Sequence, residues 1–376
     1  MKLALVTHNV HRGDGQGRVN YELTHYLLDQ GVDVTLMADT VAPELLDAGA
    51  DWIQVQPRPF ADQIDLMKVW RFRNMANRKL DQIDSRFDVV MGCGVTLSRP
   101  HALNAVHFVH GTWLQSPYHA SKVRTGLDAW YQHTFSTLNA SWELETFRQA
   151  DRIVAVSEMV RTELETIGVD SAKIDVVVNG VNCEEFAPGP ADRAALGLPD
   201  GVVLGLFVGD LQSPIKNLDI VLEGLVDAPA IHLAVAGRLE GSPYPAMAAR
   251  LGVADRVHFL GFRNDIADLM RTADFFALPS RRDSCPLVLL EAMASGLPIV
   301  TSQMVGTSNL VGPDVGFVLD HPDDRTTLDE ALHIFATDAA KRVAMGAAAR
   351  TVAEQHSWSK MAQQYLTVLE ASLQPA

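Results

Sequence analysis

Residues 279–300 read PSRRDSCPLVLLEAMASGLPIV. An acid, Asp283, stands on a Ser/Cys/Pro turn, and a second acid, Glu291, lies inside the apolar run that follows. An acid on a buried helix is costly unless something pairs with it. The preceding DFFALPS (274–280) reads as a strand, and Pro286 suits a first helical turn, where its missing N–H would be unpaired anyway. Ser284 or Cys285 is then the expected N-cap of a helix over 286–295 that ends at Gly296. Asp283 falls on the loop at the strand's carboxyl end, and Glu291 lies about one and a half turns into the helix. Between them the N–H groups of the first turn form a phosphate site. A nucleotide sugar asks for such a set: a carboxylate for the ribose diol, N–H groups for the diphosphate, a carboxylate for sugar hydroxyls. The same spacing fits a plainer arrangement, in which Asp283 helps cap the helix and Glu291 is a solvated helix residue.

Outward from this segment, strands and helices alternate. VVLGLFVGD (202–210), IHLAVAG (231–237), VHFLGF (257–262), LPIVTS (297–302) and GFVLD (316–320) join DFFALPS as strands. The first half has the same grammar: KLALVTH (2–8), a glycine loop, the helix RVNYELTHYLLDQG (18–31), then VDVTLMA (32–38), FDVVMGCG, NAVHFVHG and DRIVAVS. In that helix Val19, Leu23, Tyr26 and Leu27 share a face. Alternation of this kind predicts parallel sheets covered by helices. The Pro-, Gly-, Asn- and Asp-rich stretch 176–201 reads as a linker. The expected fold class is therefore α/β, with two Rossmann-like doubly wound domains, 1–180 and 181–358, facing a cleft that holds the ligand.

Bulk composition limits the alternatives. A chain of 376 residues exceeds what one core usually serves. A formal net charge of −15 argues against non-specific nucleic-acid binding. Cys93, Cys183 and Cys285 lie far apart and make neither a disulfide framework nor a zinc spacing, which fits a reducing cytosol. No apolar stretch has the length of a membrane span, and the N-terminus lacks the features of a signal peptide. Two basic clusters, KVWRFRNMANRK (68–79) and SKVRTG (121–126), carry interleaved Trp, Phe and Met. They read either as solvated helix faces or as a weak peripheral contact with an anionic membrane.

The segment DSCPLVLLEAMASGLPIV resembles the acid–seven residues–acid signature of retaining glycosyltransferases of family 4, which have the GT-B fold. Further matches stand in family order: GDGQG after the first strand, HG at 110–111, VVVNGVNCEEF, VGD with KN at 209–217, AGR at 236–238, VHFLGFRNDIADLM and SWSKMAQQY. The layout is also similar to bacterial lipopolysaccharide-core glycosyltransferases. The resemblance implies that Glu291 binds the ribose and Asp283 the donor sugar. The backbone of Ser284, Cys285, Pro286, Leu287 and Val288 would meet the diphosphate, and Lys216 would neutralise it. His110 would contact the sugar near the reacting centre, and Gly15 and Gly17 would let the first-domain loop approach the ligands. It further implies a C-terminal helix, 359–376, crossing back to the first domain. The implied partners are a nucleoside-diphosphate sugar and a hydroxyl acceptor, with no cofactor, no metal and a cytoplasmic setting.

Two positions depart from the pattern. The first signature acid is usually Glu and is Asp283 here. The family usually has Arg where Asp210 stands, so Arg263, Arg281 or Arg282 is expected to take over that charge, or Asp210 to turn away. Two other readings are a catalytically impaired relative that only binds a nucleotide or glycan, and an NAD enzyme. The second rests on G-x-G in GDGQG with Asp39 ending the next strand, although the third glycine is misplaced.

Overall fold

The computed structural model describes residues 1–56, 64–190 and 192–373. Residue 191 of the expected linker and 374–376 of the expected last helix lie outside them. The chain divides into two compact units, Met1–Asn179 with Trp358–Ala376, and Gly180–Ser357.

Chain order in the first unit is β1 (Lys2–Val6), β2 (Asn9–Val10), β3 (Asp33–Ala38), β4 (Thr40–Val41), β5 (Asp51–Gln54), β6 (Val89–Cys93), β7 (His101–Val106), β8 (Ala150–Ala155) and β9 (Ile174–Val176). Seven of these form one parallel sheet in the order β5-β3-β1-β6-β7-β8-β9, while β2 and β4 pair separately. Leu3, Ala4, Leu5 and Val6 are all fully buried. Side chains alternate across a strand, so consecutive buried positions mean that both faces of β1 are covered, as a parallel sheet requires. Val6, Met37 and Val55 meet Phe72, Ala76 and Leu80 of the helix Asp65–Ile83 in one buried cluster. The last helix, Trp358–Ala371, packs on the helix Gly15–Asp29 of this unit.

The second unit carries β10 (Val203–Val208), β11 (Ile231–Ala236), β12 (Val257–Gly261), β13 (Phe275–Leu278), β14 (Ile299–Ser302) and β15 (Gly316–Leu319), all parallel, in the order β12-β11-β10-β13-β14-β15. Gly205 is required within β10: a Cβ there would stand 2.4 Å from the Phe275 ring on β13. The strand order reverses between β10 and β13. In a doubly wound sheet that switch point, outside the carboxyl ends, is where ligands bind.

Three expectations are corrected. The span 176–201 is not a free linker: Val176 ends β9, and Val181, Phe186 and Leu198 are buried in the second unit. Arg193 fastens it, donating to the carbonyls of Val202 (2.8 Å) and Thr272 (2.9 Å) and to Asp274 (2.8 Å). Local Pro/Gly content does not register such distant anchors. The helix after the glycine loop begins at Gly15, not Arg18, because Asp14 is its N-cap and accepts from Gly17 N at 2.6 Å. Neither Ser284 nor Cys285 caps the helix of the acidic segment. It spans Leu287–Ala294, with Pro286 itself at the N-cap in an extended conformation and no side-chain cap. Gly296 ends it in the left-handed region, at φ 76°.

Candidate active site

The loops after β10 and β13 converge at the switch point of the second unit. After β10 the chain turns through Pro214–Lys216 and passes Asn217, which is left-handed (φ 62°) and fully buried. A non-glycine residue rarely sits there without support. Asn217 has it: its Nδ2 donates to the carbonyls of Pro279 (2.9 Å) and Pro322 (2.7 Å). This locks the β10 loop onto the β13 loop and aims Lys216. A second fastening comes from Arg281. Its backbone N–H donates to the Ile215 carbonyl (2.7 Å), and its guanidinium donates to Pro214 O (2.7 Å), to both carboxylate oxygens of Asp219 (2.9 and 2.6 Å) and to Asp323 (3.2 Å). Burial disfavours its charge, but Asp219 and Asp323 outweigh that and hold its pKa above the ordinary value.

So fixed, Lys216 forms an ion pair with Asp283. The backbone of Asp283 is itself pinned: its N–H donates to Met304 O (3.0 Å), and its carbonyl accepts from Gly306 N (2.7 Å). Ser284 is half-buried and Cys285 and Pro286 are buried as the chain enters the helix. Leu287 and Val288 open that helix, whose first N–H groups have no intrahelical acceptor. Glu291 follows on the same helix, half-buried between the buried Leu290 and Ala292.

Beside this group a cavity of about 400 Å³ opens at the ends of β10, β11 and β12. Gly209, Asp210, Gly237, Arg238, Phe262 and Arg263 line it, with neighbours; Lys216, Asp283 and Glu291 do not. Gly209 connects the two places, because a Cβ there would meet Lys216 Cγ at 3.2 Å. Gly237 lets the β10 and β11 loops touch: a Cβ would lie 2.2 Å from the Gly209 carbonyl oxygen.

At position 210 the acid is bound within its own loop. Asp210 spends both oxygens locally, accepting from Gln212 N (3.0 Å) and Ser213 Oγ (2.9 Å). Arg281 is committed to Asp219 and Asp323, Arg282 is buried, and Arg263 pairs with Asp265. Arg238, unassigned in the sequence reading, is an exposed arginine in the wall that Asp210 shares.

In the first unit, His110 opens the short helix His110–Trp113 and meets Glu143 from the long helix Gly126–Gln149. Glu143 Oε1 is 2.7 Å from His110 Nδ1 and 2.7 Å from His110 N; Oε2 accepts from His110 N (2.9 Å) and Gly111 N (3.2 Å). This carboxylate is 1% exposed. It caps the short helix and holds the imidazole by Nδ1, leaving Nε2 for other partners. Sequence reasoning missed Glu143, since its partners lie more than thirty residues away. Gly15 and Gly17 sit in the first turn of the helix after β1. A Cβ on Gly17 would meet His11 O at 2.8 Å, whereas one on Gly15 would meet nothing within 4 Å. Asp39, the acid of the NAD reading, accepts from Gln56 N (3.1 Å) and Gln56 Nε2 (3.2 Å) and lies 3.3 Å from His8 Nδ1. Among the described residues, no three His, Cys, Asp or Glu side chains converge to hold a metal ion, and no helix is long and apolar enough to cross a membrane.

Comparison with known proteins follows this division. The family description "Glycosyltransferase Family 4" matches residues 13–185, and "Glycosyl transferases group 1" matches 190–352. The D-inositol 3-phosphate glycosyltransferase of Mycolicibacterium gilvum is 34% identical over 245 residues, 61% of this chain and 54% of that one. The chain spans about half the length of this and a second such relative, from Mycolicibacterium smegmatis. Among solved structures, sucrose-phosphate synthase from Thermosynechococcus elongatus superposes with a TM-score of 0.79 at 17% identity, covering 98% of each chain. HepE of Anabaena, solved with UDP and glucose, superposes with a TM-score of 0.69 at 21% identity, covering 98% of this chain and 99% of that one. At these identities the structural likenesses carry the fold alone.

Proposed function

Since the chain belongs to the GT-B glycosyltransferases, with a family 4 first half and a group 1 second half, we propose that it transfers a hexose from a nucleoside-diphosphate sugar to a hydroxyl acceptor. The acceptor class is a glycan, a glycolipid or a small metabolite. A UDP-sugar is proposed over a GDP-sugar, by analogy with HepE, which was solved with UDP and glucose. The observation that carries the reading is the Lys216–Asp283 pair beside the start of the helix Leu287–Ala294, at the switch point of the second sheet.

In this reading Lys216 and the amides of Leu287 and Val288 take the diphosphate, Glu291 the ribose hydroxyls and Asp283 the sugar hydroxyls. The C1–O bond to the diphosphate lengthens ahead of acceptor attack, so the sugar becomes oxocarbenium-like and negative charge gathers on the leaving phosphate. Donors already oriented toward that charge lower the barrier without rearranging. The acceptor oxygen bonds C1 from the face the phosphate leaves, and its proton passes to a phosphate oxygen, so configuration is retained. No protein carboxylate is assigned as a covalent nucleophile and no metal ion is invoked. His110 serves sugar recognition through Nε2.

The test is a panel of UDP-, GDP- and ADP-sugars scored by thermal shift, then by turnover with wild type, Lys216→Ala and Glu291→Ala. Binding and turnover by the wild type, lost in both variants while both stay folded, is expected. Full activity in both variants ends the assignment. A non-catalytic binder is the second reading, favoured by Asp210 in the cavity wall. It predicts donor binding without turnover.

A further inference from the structure

We propose that His232 and His258 form a two-ligand site for a borderline divalent transition-metal ion, of the class of Zn2+, Ni2+ and Cu2+, an inference that does not rest on the transfer reading. His232 is the second residue of β11, and His258 is the second residue of β12, the edge strand of the second sheet. His258 stands opposite Ala234. His232, two residues before Ala234, therefore projects from the same face of the sheet, diagonally across from His258. Both side chains are half-buried. Their rings lie within 9° of parallel, with centroids 5.4 Å apart. They meet through two ring nitrogens, His232 Nδ1 and His258 Nε2, at 3.1 Å.

That separation suits a chelate. With metal–nitrogen bonds of about 2.0–2.1 Å, two imidazole nitrogens are about 2.9 Å apart at a right angle and about 3.4 Å apart at the tetrahedral angle. The rings only have to pivot about their side-chain bonds, and the strands stay in place. In the free protein one facing nitrogen donates its proton to the other. On metal binding that ring carries its proton on its outer nitrogen instead. Each imidazole then keeps one N–H, His232 at Nε2 and His258 at Nδ1, and both facing lone pairs go to the metal. Burial lowers the pKa of both rings, which holds them in the neutral, ligating form near neutral pH. The nearby cation is committed elsewhere: the Arg256 guanidinium donates to the carbonyls of Leu225 (2.9 Å), Ala228 (3.0 Å) and Ile231 (3.1 Å). Asp255 adds negative charge to the surroundings of His232. The ligand type selects the ion, since imidazole suits borderline transition metals, whereas Ca2+ and Mg2+ take oxygen ligands. Among the described residues no third His, Cys, Asp or Glu joins the pair, so water fills the remaining positions and the affinity is moderate. The pair lies at the amino ends of its strands, away from the candidate active site at their carboxyl ends, and a bound ion would tie the edge strand β12 to β11.

The experiment titrates the full chain, stripped with chelator, with zinc chloride and separately with magnesium chloride, followed by calorimetry. One Zn2+ is expected to bind with a Kd of about 1–100 μM, weaker than a four-ligand structural site, and Mg2+ is expected not to bind. His232→Gln and His258→Gln are each expected to weaken Zn2+ binding by about tenfold or more. Circular dichroism checks that both variants fold. Nitrogen spectra of histidine-labelled wild type give a reading that needs no variant. Of the 13 histidines, Zn2+ should move the signals of two, one bound through Nδ1 and the other through Nε2. No Zn2+ binding tighter than about 1 mM, equal binding of Mg2+, unchanged affinity in either folded variant, or shifts at other histidines while these two stay still would each overturn the proposal.

Discussion

Lys216 and Asp283, 67 residues apart, are bound to each other at the mouth of the second unit's switch point. In the proposed function Lys216 meets the diphosphate and Asp283 the sugar, so the donor would exchange this contact for two new ones. UDP lacks the transferred sugar, so of these two residues it would need only Lys216. Lys216→Ala is therefore expected to weaken UDP binding by roughly 10- to 100-fold, the worth of one charge-assisted hydrogen bond. Asp283→Asn removes only a competitor: UDP affinity should hold or rise, while turnover with the UDP-sugar falls. Calorimetry with UDP and steady-state kinetics separate the two. Equal loss of UDP affinity in both variants would refute the division of roles.

Glu143 is predicted to act through His110. Glu143→Gln leaves at least one of the donors on His110 and Gly111 without its acceptor, at a cost of about 1–3 kcal/mol in stability. Turnover should fall, because the imidazole loses the carboxylate that holds its Nδ1. The double variant His110→Ala with Glu143→Gln should be no slower than His110→Ala alone, since the two residues act as a unit. Additive losses would make Glu143 merely structural.

The two loop glycines should respond differently to alanine. Gly17→Ala drives a Cβ against the His11 carbonyl and the Asp14 cap, and a clearly lowered melting temperature is expected. At Gly15 the space is open, so Gly15→Ala should leave stability within about 1 kcal/mol. If Gly15 admits a ligand, that variant nonetheless loses activity. Unchanged activity would remove Gly15 from the site.

Acid should destabilise the fold in a defined window. Burial lowers the pKa of His101, His232 and His258, and at His107, whose Nε2 is buried, it pushes the value down to about 4. The unfolded chain then takes up protons first, at the ordinary histidine value near 6.5, so stability present above that value is lost as the pH falls through the lowered folded values. His232 and His258 stack with ring nitrogens 3.1 Å apart, which a second charge would break. Melting temperatures taken from about pH 8 down to about pH 5 should decline, less steeply in His232→Gln with His258→Gln. A flat or rising curve would contradict the assignment.

Most strands were legible because a strand buried on both faces needs a continuous apolar run, as in LALV of β1 or FFAL of β13. β5 (Asp51–Gln54) was not: it is an edge strand with three exposed residues, so neither run nor alternation marks it. β9 was hidden by the polar composition that follows it. The order of residues in the acidic segment pointed to Asp283 and Glu291, but its local rules misplaced the cap. A proline whose own conformation is extended took the position assigned to a serine or cysteine.

The sequence alone determined the α/β alternation, the two-part organisation and the family signature, because strand burial, glycine stops and motif spacing are properties of neighbours along the chain. Tertiary structure alone decided that Lys216 meets Asp283, that Arg281 is consumed by Asp219 and Asp323, and that Glu143 orients His110. It also decided that Leu127 and Trp130 of a long helix face outward while Phe147 near its other end is buried. Those facts depend on which charges and surfaces the parallel crossovers bring within hydrogen-bond reach, and no local pattern encodes a contact made across tens of residues.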